Sequence, residues 1–106
     1  MNSNLPPILS ELKQRLTEHY GDRLERLVLF GSHARGDAEP DSDIDVLVVL
    51  NDLDESREER ERREDMTYDL SLKYNVGIQL ARMSSERFHN RNSPLLINVR
   101  REGAEI

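Results

Sequence analysis

GSHARGDAEPDSDID, residues 31–45, lies between the aliphatic runs LERLVLF at 24–30 and VLVVL at 46–50, and its reading decides the fold. The flanking runs are strands, predicted over Leu24–Phe30 and Asp43–Leu50. Gly31-Ser32 breaks the first strand, His33-Ala34-Arg35 makes a helical turn before Gly36, and Asp37–Ser42 is turn chemistry. Asp43 and Asp45 are two apart on a strand, so both side chains leave one face while Ile44, Val46 and Val48 leave the other for the core. Strands disfavour aspartate, and adjacent carboxylates repel. A hard divalent ion such as Mg²⁺, with its preference for oxygen ligands, supplies the missing charge. On the other side of the turn, Gly31 lets a phosphate approach the backbone where a helix start leaves N–H groups unpaired. Ser32 adds a hydroxyl donor, and Arg35 is within a turn's reach of either a phosphate or an aspartate. A phosphate cradle beside metal ligands makes a site for a nucleoside triphosphate.

The rest of the chain builds around this pair of strands. Leu5, Ile8, Leu9, Leu12, Leu16 and Tyr20 recur at three- and four-residue steps, one face of an amphipathic helix. Asn4 is its expected cap, Pro6 and Pro7 suit its first turn, and Gly21 ends it. After a polar turn at Asn51–Glu55, a helix is predicted from about Ser56 to Lys73. Its first half, SREERERRED, reads as a solvated face with i to i+4 charge pairs, with a partner-docking surface as the lesser alternative. Its second half, with Met66, Leu70, Leu72, Tyr68 and Tyr74, is expected to dock on the sheet. A third strand is predicted at Val76–Ala81, a short helix at Ser84–Phe88, and a last helix opened by Ser93-Pro94 and ended by Gly103. This order implies an α/β (α+β) fold: one small mixed sheet, helices mainly on one face, and the other face open to a ligand.

At 106 residues the chain is read as a single domain spanning 1–106. Apolar residues make up 36% and charged residues 34%, so the core is small and a partner surface is a natural complement. A net charge of -6 argues against direct binding to nucleic acid. The absence of cysteine excludes disulfides, thiolate zinc and a cysteine nucleophile. Neither a secretory signal nor a membrane span is expected, which points to a cytoplasmic protein.

The motif resembles that of the DNA polymerase β-like nucleotidyltransferases, and specifically the minimal nucleotidyltransferases (MNT). Their signature is Gly-Ser, ten residues, then Asp-x-Asp; Gly31-Ser32, His33–Ser42 and Asp43-Ile44-Asp45 match it without a gap. LFGSHARG, PDSDIDVLV and SPLLINVRREG look like the family as well. The resemblance implies Mg²⁺-dependent transfer of AMP from ATP to a hydroxyl. Asp43 and Asp45 would be the catalytic metal ligands, with Gly31, Ser32 and Arg35 holding the nucleotide. It also implies a helical HEPN-type toxin as partner, silenced by adenylylation of a tyrosine, in a homo- or hetero-oligomer.

Two departures matter. His33 stands where the family usually has arginine, and is read as nucleotide-proximal or surface. The family's third carboxylate belongs on the third strand, where Gly77 and Gln79 share the site face and Gln79 is neutral. Asp69, the nearest acid upstream, reads as a surface residue on the preceding helix. A second functional reading follows: an antitoxin that neutralises its partner by occlusion, with a weakened site. A third, transfer to a small molecule such as an aminoglycoside, ordinarily needs an additional acceptor-binding domain. His19 and His89 are read as surface or boundary residues, and Tyr68 and Tyr74 as helix–sheet packing.

Overall fold

Two antiparallel strands, β1 (Leu24–Phe30) and β2 (Ile44–Leu50), form the centre of a four-stranded mixed sheet. β3 (Ile78–Ser84) runs parallel to β2 on one side, and β4 (Ala104–Glu105) pairs antiparallel to β1 on the other, giving the order β3-β2-β1-β4. The computed structural model describes residues 5–106; Asn4, the expected helix cap, lies outside the described residues. Five helices complete the fold: α1 (Leu5–Tyr20), α2 (Ser32–Arg35), α3 (Arg57–Tyr74), α4 (Ser85–Asn90) and α5 (Pro94–Glu102). Among the described residues no helix is long and apolar enough to cross a membrane.

Strand alternation sorts the core into two clusters. Ile44, Val46, Val48 and Leu50 of β2, with Leu27 and Leu29 of β1, meet Ile8, Leu12, Leu16 and Tyr20 of α1 and Met66 and Leu70 of α3. Leu47, Val49, Val28 and Met83 point the other way, onto Phe88 of α4 and Leu96 and Val99 of α5. Burial on both faces explains why β2 reads as an unbroken aliphatic run rather than an alternation. Each such side chain contributes about 1.5–3 kcal/mol when fully buried.

The two long helices therefore share one face, as expected, but the second face is open only in part. α4 and α5 cover it over Leu47 and Val49, and leave the start of β2, where the aspartates lie. Gly21, in a left-handed conformation (φ 57°), ends α1 as expected and opens a 3₁₀ turn over Gly21–Arg23. Two further departures are local. β3 covers 78–84 instead of 76–81: Asn75 caps α3 in the left-handed region, pairing begins at Ile44–Ile78, and the strand runs into Ser84, which caps α4. Tyr68 and Leu72 do not dock on the sheet but are 64% and 63% exposed.

The charged start of α3 is a solvated face with Arg57–Glu61 and Arg60–Glu64 pairs at i to i+4, as the pattern suggests. Ser56 caps it by accepting from Glu59 N–H. The two-residue strand β4 has no sequence signal of its own. It forms because Gly103 turns the chain tightly over Val99 and Val28, where a Cβ would clash.

Candidate active site

The pairing register brings the motif residues together at one end of the sheet. Asp45 lies opposite Phe30 on β1 and beside Gln79 on β3, so the end of β1 delivers Gly31 directly against it. Gly31 adopts φ 77° and ψ -158°, a region essentially restricted to glycine. Space demands glycine as well, since a Cβ there would overlap Oδ2 of Asp45. The carbonyl of Gly31 then accepts the N–H groups of Ala34 and Arg35, both at 3.1 Å, which starts α2. Gly36 closes this turn in the left-handed region at φ 84°.

Asp43 precedes β2 by one residue and is exposed, whereas the expected strand began on it. The adjoining backbone is fixed by Ile44 N–H donating to the Gly77 carbonyl at 2.8 Å. A Cβ on Gly77 would overlap Oδ1 of Asp43. Each carboxylate of the pair is thus seated against a glycine, Asp45 on Gly31 and Asp43 on Gly77. Gln79 donates from Nε2 to Oδ2 of Asp43 at 3.4 Å. The expected face assignment of β3 holds: Ile78 is buried and Leu80 packs on the main core, while Gln79 faces the aspartates.

The electrostatics of the pair are those of an uncompensated acid site. Burial first, and then the charge of Asp43, hold the Asp45 carboxyl above its ordinary range; His33 and Arg35 oppose this only partly. No cationic side chain among the described residues forms a salt bridge with either aspartate. Arg35 instead pairs with Asp37 at 3.2 Å and with Glu102 of α5 at 3.4 Å, so it reaches neither Asp43 nor Asp45. Among the described residues no group of three or more His, Cys, Asp or Glu side chains could hold a metal ion, so the oxygen donors here are two carboxylates and one amide. The surface hollow of about 430 Å³ bordered by Arg26, Val28, Phe88 and Gly103 contains neither carboxylate.

Other residues fall as follows. His33 Nε2 lies 3.1 Å from the carbonyl of Ser42, tying α2 to the residue before Asp43. Sequence reasoning missed this contact, and also missed Glu102 and the role of Gly77; only the tertiary register places these next to the motif. Tyr74 packs on the core and donates its hydroxyl to Glu11, while Asp69 is on the surface. His89 is exposed and paired with Glu25 at 3.0 Å. His19 is half-buried, and its Nε2 finds no partner among the described residues.

Two carboxylates and a glycine-backed helical turn on adjoining strands match a known pattern over most of the chain: the profile of the nucleotidyltransferase domain covers residues 9–102. The chain belongs to this nucleotidyltransferase family. Adenylyltransferase-named relatives occur in Methanocaldococcus jannaschii. One is 36% identical over 96 residues, 90% of each chain. Another is 35% identical over 71 residues, 67% of this chain and 71% of the relative. Among solved structures, a minimal nucleotidyltransferase superposes over 100% of this chain and 97% of its own at TM-score 0.62 and 24% identity. A chain of a toxin–antitoxin structure with AMP-PNP gives TM-score 0.62 and 20% identity over 90% of this chain and 69% of that one. A chain of the complex between a tri-AMPylated Shewanella oneidensis HEPN toxin and an MNT antitoxin gives 0.61 and 17% over 94% and 69%. These likenesses establish the fold.

Proposed function

We propose that this chain, acting as one domain in the cytoplasm, transfers AMP from ATP to a hydroxyl of a partner protein and serves as antitoxin to a HEPN-type toxin. The observation that carries the reading is the carboxylate pair Asp43 and Asp45, seated on Gly77 and Gly31 and facing the Gly31-Ser32 turn without a cation of its own. A divalent ion fits that donor set. Asp43 and Asp45 supply carboxylate oxygens, Gln79 lies beside Asp43, and added positive charge offsets the burial and the Asp43 repulsion that raise Asp45. When bound, Mg²⁺ would neutralise triphosphate charge and favour pyrophosphate departure.

This chain's own groups do the rest. The Gly31 backbone admits the triphosphate closely, Ser32 donates its hydroxyl, and Arg35 can exchange its surface carboxylates for phosphate. The acceptor oxygen bonds to the α-phosphorus, the bond from that phosphorus to the bridging oxygen breaks, and pyrophosphate leaves. Gln79 is no base, so the hydroxyl proton passes to solvent. The adenylyltransferase names of the relatives support AMP as the group transferred, and the toxin–antitoxin complexes support the partner.

The test is to supply ATP labelled at either the α- or the γ-phosphate, with Mg²⁺ and the product of the neighbouring gene. Transfer of the α label alone is expected. Transfer of the γ label, or of neither, contradicts the reading.

Gln79 in place of an acid favours one second reading, neutralisation by occlusion with little turnover. If Asp43→Ala/Asp45→Ala still silences the toxin as fully as wild type, occlusion accounts for the antitoxin effect. If the double variant binds the toxin and fails to silence it, transfer is required.

A further inference from the structure

Among the described residues the β3 edge of the sheet and one face of α3 have no partner, and they adjoin each other. β3 is the outermost strand, so the backbone groups on its outer side have no ladder partner among the described residues. Beside it, Tyr68 and Leu72 of α3 stand four apart on one helix face at 64% and 63% exposure. Between helix and strand runs a groove of about 310 Å³, floored by Ile78 and Leu80 and bordered by Tyr68, Thr67 and Ser71, with Arg63 and Glu64 at its end. A large aromatic and a leucine this exposed beside a groove with an apolar floor and a free strand edge are features of an interaction surface.

Charge defines the occupant. Glu61, Glu64, Asp65 and Asp69 are exposed around the Tyr68–Leu72 stripe. Arg57 and Arg60 pair with the first two, whereas Asp65 and Asp69 have no salt-bridge partner among the described residues. Arg62, exposed on the same helix and also without a salt-bridge partner among the described residues, offsets one of these charges, so the apolar stripe is flanked by a net negative charge. Position defines its purpose: Ile78 and Leu80 border the groove on one face of β3, and Gln79 between them touches Asp43 on the other face. Only the edge of β3 separates the two, so a protein that wraps this edge reaches from the groove to the carboxylate pair.

We propose that the edge formed by β3 and the Tyr68–Leu72 face of α3 is where the acceptor protein docks, through a segment with an apolar centre and lysine or arginine at its flanks. The inference rests on the transfer of AMP to a protein acceptor. Removing large side chains from the centre of such an interface costs most of its affinity, while changes outside it cost little.

The experiment compares the wild-type chain with Tyr68→Glu/Leu72→Glu, Asp65→Lys/Asp69→Lys, and a control, Ile97→Glu on α5, where the side chain is 46% exposed. Each is incubated with Mg²⁺, α-labelled ATP and the product of the neighbouring gene. Mg-ATP affinity and thermal melting are measured on each chain alone. Labelling is expected to fall at least tenfold in the Tyr68/Leu72 variant and severalfold in the Asp65/Asp69 variant. It should stay within twofold for Ile97→Glu, with nucleotide affinity and melting unchanged throughout. Wild-type labelling rates in both double variants overturn the docking site and leave the transfer reading intact. So does a self-dimer that Tyr68→Glu/Leu72→Glu splits without loss of labelling, since the edge then joins two copies. A wild-type chain that labels nothing overturns the transfer reading, and the docking inference falls with it.

Discussion

The amide of Gln79 reaches across the β2–β3 ladder to Oδ2 of Asp43, 3.4 Å away. This contact places a neutral group directly beside the carboxylate pair, and it makes the role of charge there testable. Gln79→Glu adds a carboxylate beside Asp43. Without a divalent ion it is expected to lower stability by about 0.5–1 kcal/mol, the scale of an exposed charge pair. In Mg²⁺ titrations the same variant should bind the ion severalfold more tightly than wild type. Unchanged affinity would show that position 79 does not border the ion.

The glycines beneath the carboxylates should separate function from stability. Gly77→Ala pushes against the mobile end of Asp43, so the expected outcome is a loss of transfer of tenfold or more with little change in melting temperature. Gly31→Ala has no such escape, because φ 77° and ψ -158° is closed to alanine. It should lose activity and about 1–3 kcal/mol of stability in denaturant titrations. Equal stability losses in the two variants would contradict this division.

Asp45→Asn tests whether the pair is held at a cost to the fold. Burial and the Asp43 charge raise the Asp45 carboxyl, so its ionised form is disfavoured in the folded chain. A group raised on folding favours the native state at low pH and loses that contribution as pH rises through the folded value. At neutral pH in the presence of a chelator, Asp45→Asn is therefore expected to melt higher than wild type. Added Mg²⁺ should raise the wild-type melting temperature and leave the variant's nearly unchanged. A variant that melts lower in chelator would refute the argument.

Sequence periodicity and spacing account for β1, β2, the α2 turn and the shared face of Asp43 and Asp45, because these depend on neighbours along the chain. Gln79 was also placeable, since alternation along β3 puts it on the face opposite Ile78 and Leu80. The seating of Asp43 on Gly77 was not, because it depends on the parallel register of β3 against β2. The pairing of Arg35 with Glu102 depends in turn on where α5 ends, far along the chain. Tyr68 and Leu72 misled for a simpler reason. Their apolar character fits a packed helix face, but the helix turns Met66 and Leu70 inward instead. Nothing in the local pattern decides between the two faces.

A second charge cluster, remote from the motif, predicts acid sensitivity. The Glu55 side chain is 6% exposed and bonds Arg63 through both carboxylate oxygens at 3.0 Å, with Arg82 at 3.7 Å. The hydrogen bonds from Arg63 hold its carboxyl below the ordinary 4.5. A carboxyl lowered on folding contributes stability above its unfolded value and loses it as pH falls through the folded one. Wild type should thus lose stability below about pH 4.5, and Glu55→Gln should lose less over that range. At neutral pH that variant should be less stable by about 2 kcal/mol, because Arg63 and Arg82 are left without their partner. Parallel pH–stability curves for the two would count against this assignment.

The most direct test of the central claim is the metal dependence of partner labelling in wild type and Asp43→Ala. Both are incubated with α-labelled ATP and the product of the neighbouring gene, with Mg²⁺ or with chelator. The account predicts a covalent label on the partner only for wild type with Mg²⁺. Equal labelling by Asp43→Ala, labelling that persists in chelator, or no labelled partner with wild type would contradict it.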